Sequence, residues 1–349
     1  MKAFCYFVEP AAYTLDLASN VYEINNINYC FIKSTSLVKA DETLNNISLD
    51  DKSFLGRMRF ILDIFKNNDF IIINGYNNYP FILTFIFNLF TSKKKYIATE
   101  SDTQLNIPNN LIKRLFKFCF LSFVFKNKYV LGFAGGSKSH KDLFRCYGMS
   151  EERIFLMPMM VNNDKFFQEK KQFPNIFTFL YVGRLVKHKN VDGLINQFNR
   201  NFSNKNAILK IIGSGEEELY LKHKYESDQV IFLGKQYNDY LINEYKSASC
   251  FVCPSLFEPW GLVVNEALSA GLPVIATKEV GATADLIAGK GTGFIVDDMN
   301  DIGNKMVQLF KDPELLRKYS NNASDLMQSH WNYNLYKNNL QEVLKSINK

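Results

Sequence analysis

The stretch FEPWGLVVNEALSAGLPVIAT, residues 257–277, carries two carboxylates, Glu258 and Glu266, in an otherwise apolar segment punctuated by Gly and Pro. The apolar run CFVCP ends at Pro254, the loop SLFEPW follows, and the pattern predicts a helix over 261–270, closed by Gly271 before the run LPVIAT. Glu258 then precedes a helix N-terminus and Glu266 lies in the second turn. The N–H groups of Trp260, Gly261 and Leu262 point out of that N-terminus, toward any anion bound there. A plainer alternative is that Glu258 stabilises the helix dipole while Glu266 pairs with a cation.

Two further turns have the chemistry to meet an anion. In YVGRLVKHKNVDGLI, Gly183 ends a strand and Arg184 and Lys189 follow before a helical segment. Two cations at a strand-to-helix turn can clamp a diphosphate; the alternative is a pair of ordinary surface residues. In IIGSGEEELY, Gly213 and Gly215 make a short turn that lets backbone approach a nucleotide, and Glu216 to Glu218 read as the first turn of a helix. Gly-x-Gly alone is a weak signal.

The elements that must position these residues alternate between short apolar runs and longer amphipathic segments, the βαβ rhythm of a parallel sheet. AFCYFV, NYCFI, DFIIIN, KKYIAT and KYVLGFA form a first series. FTFLYVG, AILKIIG, VIFLG, CFVCP, LPVIAT and GFIVD form a second. Between them, FFQEKKQFPN (166–175) is charged and ends in Pro174, which predicts a linker between a domain over 1–168 and one over 175–330. The fold class is α/β, with two Rossmann-like domains and ligands sought beyond the carboxyl ends of the strands. An amphipathic helix within 331–349 is expected either on its own domain or crossing back to the first.

The chain has 349 residues, 47% hydrophobic and 22% charged, enough for more than one core. Its net charge of +6 is uneven, since residues 93–128 hold eight cations against Glu100 and Asp102. Within that stretch LIKRLFKFCFLSFVFKNK interleaves apolar and basic side chains, which suits an anionic membrane surface or a lipid diphosphate; a buried helix with snorkelling lysines is the alternative. The six cysteines show no disulfide framework and read as reduced, buried thiols, and Cys250 and Cys253 fit a core strand better than a zinc site. Neither a signal-like run nor a membrane-length apolar window appears, so a cytoplasmic location is expected, peripheral on the inner membrane face if the basic stretch meets lipid. No nucleic-acid partner is expected.

The string EPWGLVVNEALSAGLPVIAT, with YVGRLVKHKN upstream and the PS of CPSLFEPW before it, resembles the donor-binding core of retaining glycosyltransferases of family 4. The E-x7-E element and the order of the lesser motifs agree with that family across residues 177–297. The resemblance implies a GT-B fold, with the two domains facing each other across a cleft, and a nucleotide-diphosphate sugar, UDP- or GDP-linked, as substrate and not as cofactor. It implies that Arg184 and Lys189 hold the diphosphate, that Glu266 binds the ribose and that Glu258 faces the donor sugar. Gly183, Gly213, Gly215 and the segment Pro259, Trp260, Gly261, Leu262 and Val263 complete the donor site by the same likeness. Metal is not required in this fold, and Asp297 and Asp298 are not read as a metal site. The acceptor would be a hydroxyl of a glycan or lipid-linked glycan in surface polysaccharide synthesis, attacked on the same face that the nucleotide leaves.

The first domain departs from the family pattern. Where a Gly-rich loop and a histidine are common, this chain reads VEPAAYTLD and IATESDTQ. Glu100 and Asp102 then become the polar candidates facing the reacting sugar, or else helix caps for the segment that follows. Tyr13, Gly75 and Tyr76 are the remaining acceptor-side candidates. Two other functions stay open: a nucleotide-sugar epimerase or hydrolase, and a non-catalytic partner of a transferase.

Overall fold

The computed structural model describes residues 1–34 and 47–347. The chain divides into two compact units, Met1–Met160 with Tyr333–Lys349, and Val161–Asn332. Each holds one six-stranded parallel sheet with helices on its faces.

In the first unit the strands are β1 (Ala3–Phe7), β2 (Asn28–Phe31), β3 (Phe70–Asn74), β4 (Tyr96–Ser101), β5 (Val130–Ala134) and β6 (Ile154–Leu156), in the order β2-β1-β3-β4-β5-β6. A parallel sheet covered on both faces demands apolar residues at consecutive positions, and FIIIN of β3 and VLGFA of β5 supply them. Helices α1 (Ala12–Leu17), α2 (Phe54–Asn67), α3 (Tyr79–Phe90), α4 (Leu111–Phe125) and α5 (Ser139–Cys146) connect these strands. The crossovers β2-α2-β3, β3-α3-β4 and β4-α4-β5 all advance in one direction across the sheet, and their shared right-handedness puts the three helices on one face. Ile61, Phe81, Phe85, Leu121 and Val124 accordingly join Phe4, Ile71 and Ile73 in a single buried core.

The second unit contains β7 (Phe177–Val182), β8 (Ala207–Ile212), β9 (Val230–Gly234), β10 (Cys250–Cys253), β11 (Val274–Thr277) and β12 (Gly293–Val296), in the order β12-β11-β10-β7-β8-β9. Its helices are α6 (Asn163–Phe166), α7 (Val191–Phe202), α8 (Glu218–Tyr225), α9 (Asn238–Ser247), α10 (Leu262–Ser269), α11 (Thr283–Leu286), α12 (Met299–Lys311) and α13 (Pro313–Ser329). The chain builds outward from β7 to β9, then returns to place β10 on the other side of β7. The loops after β7 and β10 therefore diverge at a topological switch point, where open α/β sheets leave a crevice.

Three sequence expectations are corrected. Residues 166–175 do not form a linker: the compact units divide at 160/161, and this stretch is tied into the second one. Phe166 is buried with its ring 5.6 Å from Tyr245, and Lys171 Nζ donates to the Tyr245 carbonyl at 3.3 Å. Polar composition had suggested a solvated segment, but its long side chains reach backbone acceptors. The final helix, α14 (Tyr333–Ile347), starts later than 331 because Trp331 is buried in the second unit, stacked 5.6 Å from Trp260. α14 itself belongs to the first unit, where the Tyr336 and Tyr22 hydroxyls bond at 2.8 Å and Asn339 Nδ2 donates to the Leu156 carbonyl at 2.7 Å. Lastly, all six cysteines are free thiols, but Cys119 and Cys146 are exposed; only Cys5, Cys30, Cys250 and Cys253 are buried.

Candidate functional sites in each unit

The two loops that diverge at the switch point of the second sheet are joined by an ion pair, Lys189 Nζ with Glu258 Oε2. Lys189 closes a short 3-10 turn after β7, and Glu258 stands in the loop after β10. Their side chains are only 12% and 16% exposed, so each needs the other's charge. Burial, and then the neighbouring Arg184 guanidinium, press the Lys189 ammonium below its ordinary pKa. Contact with Glu258 works in the opposite direction and lets a cation remain there. Arg184 is exposed. The loop bearing Glu258 is fixed by its own backbone: Glu258 N–H donates to the Glu279 carbonyl at 3.1 Å, and Gly281 N–H donates to the Glu258 carbonyl at 3.0 Å.

α10 follows, one residue shorter at each end than expected, with Gly261 at its N-cap in the left-handed region at φ 96°. No side chain caps this helix, and the N–H groups of Gly261, Leu262 and Val263 meet no backbone acceptor among the described residues. Donors are thus presented beside the Lys189–Glu258 pair. The Trp260 side chain is core: it is 2% exposed and its Nε1 donates to Asn265 Oδ1 at 2.8 Å. Glu266 is held by the Tyr245 hydroxyl, which donates to Oε2 at 2.7 Å. Burial lifts the Glu266 pKa to about 7, with the Tyr245 hydrogen bond opposing that rise. The alternative of a cation partner for Glu266 gives way to a neutral phenol.

Gly183, Gly213 and Gly215 have a structural reason distinct from ligand approach. The turns after β7 and β8 are laced together, with Gly183 N–H on the Ile212 carbonyl at 3.0 Å and Leu185 N–H on the Ser214 carbonyl at 2.9 Å. A Cβ on Gly213 would stand 1.8 Å from the Gly183 carbonyl oxygen, and one on Gly215 would stand 2.3 Å from that of Leu185. The acidic run reads as expected at its end: Glu218 begins α8 and pairs with Lys222 at 3.2 Å. Asp297 pairs with Lys278 at 2.9 Å, while Asp298 caps α12 by accepting from Asp301 N–H at 2.9 Å.

In the first unit Tyr13, Gly75, Tyr76, Glu100 and Asp102 all line one cavity of about 260 Å³ at the carboxyl ends of β1, β3 and β4. Glu100 is a strand residue, 7% exposed, and its Oε2 has no hydrogen-bond partner among the described residues. Burial, then the nearby Asp102 charge, raise its pKa to about 8, against the opposing Asn74 hydrogen bond. Burial and the Asp102 charge also push Tyr13 to about 12. Neither acid is a helix cap, for Asn110 takes that place on α4 by accepting from Lys113 N–H at 3.0 Å.

Glu100 makes stability pH-dependent. Its unfolded carboxyl ionises near 4.5, whereas the folded one keeps its proton to about 8. Folding therefore takes up a proton between those values, and the stability this group permits at low pH is lost as pH rises through the window. Glu100→Gln should match wild type below the window and exceed it by about 5 kcal/mol above it. Thermal unfolding at the two ends of the window measures this, and a pH-independent difference would contradict it.

Residues 162–326 match the family described as glycosyl transferases group 1. That match covers nearly all of the second unit. An uncharacterized glycosyltransferase of Methanocaldococcus jannaschii is 38% identical over 130 residues, 35% of this chain and 32% of that protein. The capsular polysaccharide biosynthesis glycosyltransferase CapM of Staphylococcus aureus is 28% identical over 223 residues, 61% of this chain and 57% of CapM. The chain thus matches between about a third and just over half the length of these relatives. Among solved structures, Anabaena HepE in complex with UDP superposes with a TM-score of 0.77 at 15% identity, covering 99% of this chain and 100% of that one. Likeness at such identity shows the fold, which is GT-B.

All the donor-site candidates fall within the group 1 domain, whereas the acceptor-side candidates lie outside it. Sequence reasoning missed Tyr245, the partner of Glu266, which no motif marks 21 positions away. It also missed Asn74, whose place beside Glu100 follows from strand register, and His140, buried with Nε2 2.9 Å from the Asp102 carbonyl. Among the described residues no helix is long and apolar enough to cross a membrane.

Proposed function

We propose that the chain is a retaining, metal-independent glycosyltransferase of family 4 that moves a sugar from a nucleotide-diphosphate sugar to a hydroxyl of a glycan or lipid-linked glycan. The observation that carries this reading is the part-buried Lys189–Glu258 pair at the switch point of the group 1 domain, with Arg184 and the uncapped start of α10 beside it. As the sugar–phosphate bond breaks, negative charge grows on the diphosphate, and fixed cations and amides stabilise that charge more than they do the ground state. Glu258 faces the sugar and Glu266 the ribose. The acceptor oxygen attacks on the face the diphosphate leaves, and its proton passes to a departing phosphate oxygen. The cavity around Glu100 would take an acceptor hydroxyl, with Glu100 protonated at neutral pH and able to donate to it. UDP is favoured as the nucleotide by the UDP complex of HepE, and a surface glycan as the acceptor by the capsule role of CapM.

The experiment is incubation of the full chain with UDP- and GDP-sugars, with and without oligosaccharide acceptors, reading nucleotide release and the anomeric coupling of the product. Acceptor-dependent release with a retained anomeric configuration is expected. Inversion would remove the same-face mechanism, and equal release without acceptor would make the chain a hydrolase.

A further inference from the structure

α4 carries its large apolar residues outward over its first three turns. Leu111, Ile112, Leu115 and Phe116 are 76%, 68%, 63% and 73% exposed, and the helix is anchored mainly by its last turn, where Leu121, Val124 and Phe125 are buried. The next helix in the same layer continues the surface: Phe85 of α3 meets Phe123 of α4 at 5.7 Å, and Phe90 at the end of α3 is 86% exposed. Contiguous apolar surface of this extent is foreign to a face that stays in water.

The charges on the same face decide what covers it. Lys113 and Arg114 are exposed among these side chains, and Lys117 stands one turn further on. From Thr103 to Ser137 there is no acidic residue, and α3 carries no charge at all. A second copy docked face to face would set these cations against their own equivalents with no acid in α3 or α4 to pair them. A surface of phosphate headgroups over acyl chains satisfies both features at once, because the rings enter the acyl boundary while the basic side chains reach up to the phosphates. We propose that the outer face of α3 and α4 docks on an anionic phospholipid surface, with α4 lying in the interface plane. This proposal stands apart from the donor chemistry, which lies in the other unit.

Flotation of the full chain with vesicles tests it, using phosphatidylcholine alone and phosphatidylcholine with about a third phosphatidylglycerol. Binding is expected only to the anionic vesicles and should fall as salt rises. Lys113→Gln with Arg114→Gln should weaken that binding about thirtyfold. Ile112→Ser with Phe116→Ser should abolish it, and all four positions are exposed, so unfolding midpoints should not change. Absence of binding to anionic vesicles, equal binding to neutral ones, or binding undiminished in both variants would overturn the proposal. So would a dimer of the wild-type chain that Ile112→Ser with Phe116→Ser dissolves, since a second copy would then cover the face.

Discussion

Lys189→Ala is expected to lower turnover of the nucleotide-sugar donor by about 10²- to 10³-fold, the usual loss when one fixed charge that meets a developing anion is removed. The same substitution leaves Glu258, 16% exposed, without its cation. Uncompensated charge at that depth should also cost about 2–3 kcal/mol of stability. These consequences can be separated. Glu258→Gln combined with Lys189→Met removes both charges, and should recover most of the stability while leaving turnover as low as in Lys189→Ala. Thermal unfolding and steady-state nucleotide release on the same preparations give the answer. Recovery of turnover along with stability would mean that Lys189 serves only to neutralise Glu258.

Gly213→Ala should have the largest effect on folding. The new Cβ would stand 1.8 Å from the Gly183 carbonyl oxygen, a backbone atom fixed by the lacing of two turns, and φ at this position is 144°. Backbone contact cannot be relieved by a rotamer change, so the cost should exceed about 4 kcal/mol. Gly234→Ala is the control, because its φ of 64° is also positive but nothing lies within 4 Å of its Cβ position. That substitution should cost only about 1 kcal/mol, the left-handed penalty alone. Urea unfolding of both variants checks the pair, and equal losses would remove the packing argument.

Gly213 is held by a contact that its local sequence does not display. The turn was legible as Gly-x-Gly at a strand end, but its glycines are required by the approach of the next loop, a tertiary contact that no local pattern displays. Parallel strands were easy to see because burial on both faces writes unbroken apolar runs such as FIIIN and VLGFA. The boundary near 160 was hidden because EKK looks solvated, while in the folded unit Lys171 reaches backbone carbonyls. For the candidate site, E-x7-E reported a strand, loop and helix whose spacing survives in the structure to within one residue. The partners of those glutamates were not legible: Lys189 meets Glu258 across 69 positions, and Tyr245 meets Glu266 from a different helix. Glu100 could be named from sequence, but its raised pKa depends on a burial that YIATES does not disclose.

The proposed donor site holds a nucleoside diphosphate through Arg184 and Lys189. Calorimetric titration of the full chain with UDP, GDP and uridine tests this directly, in wild type and in Arg184→Ala, where the exposed site leaves folding intact. Saturable binding of one nucleoside diphosphate, no binding of uridine, and affinity reduced at least about tenfold in Arg184→Ala are expected. Failure of both diphosphates to bind, or equal affinity in the variant, would contradict the proposed site.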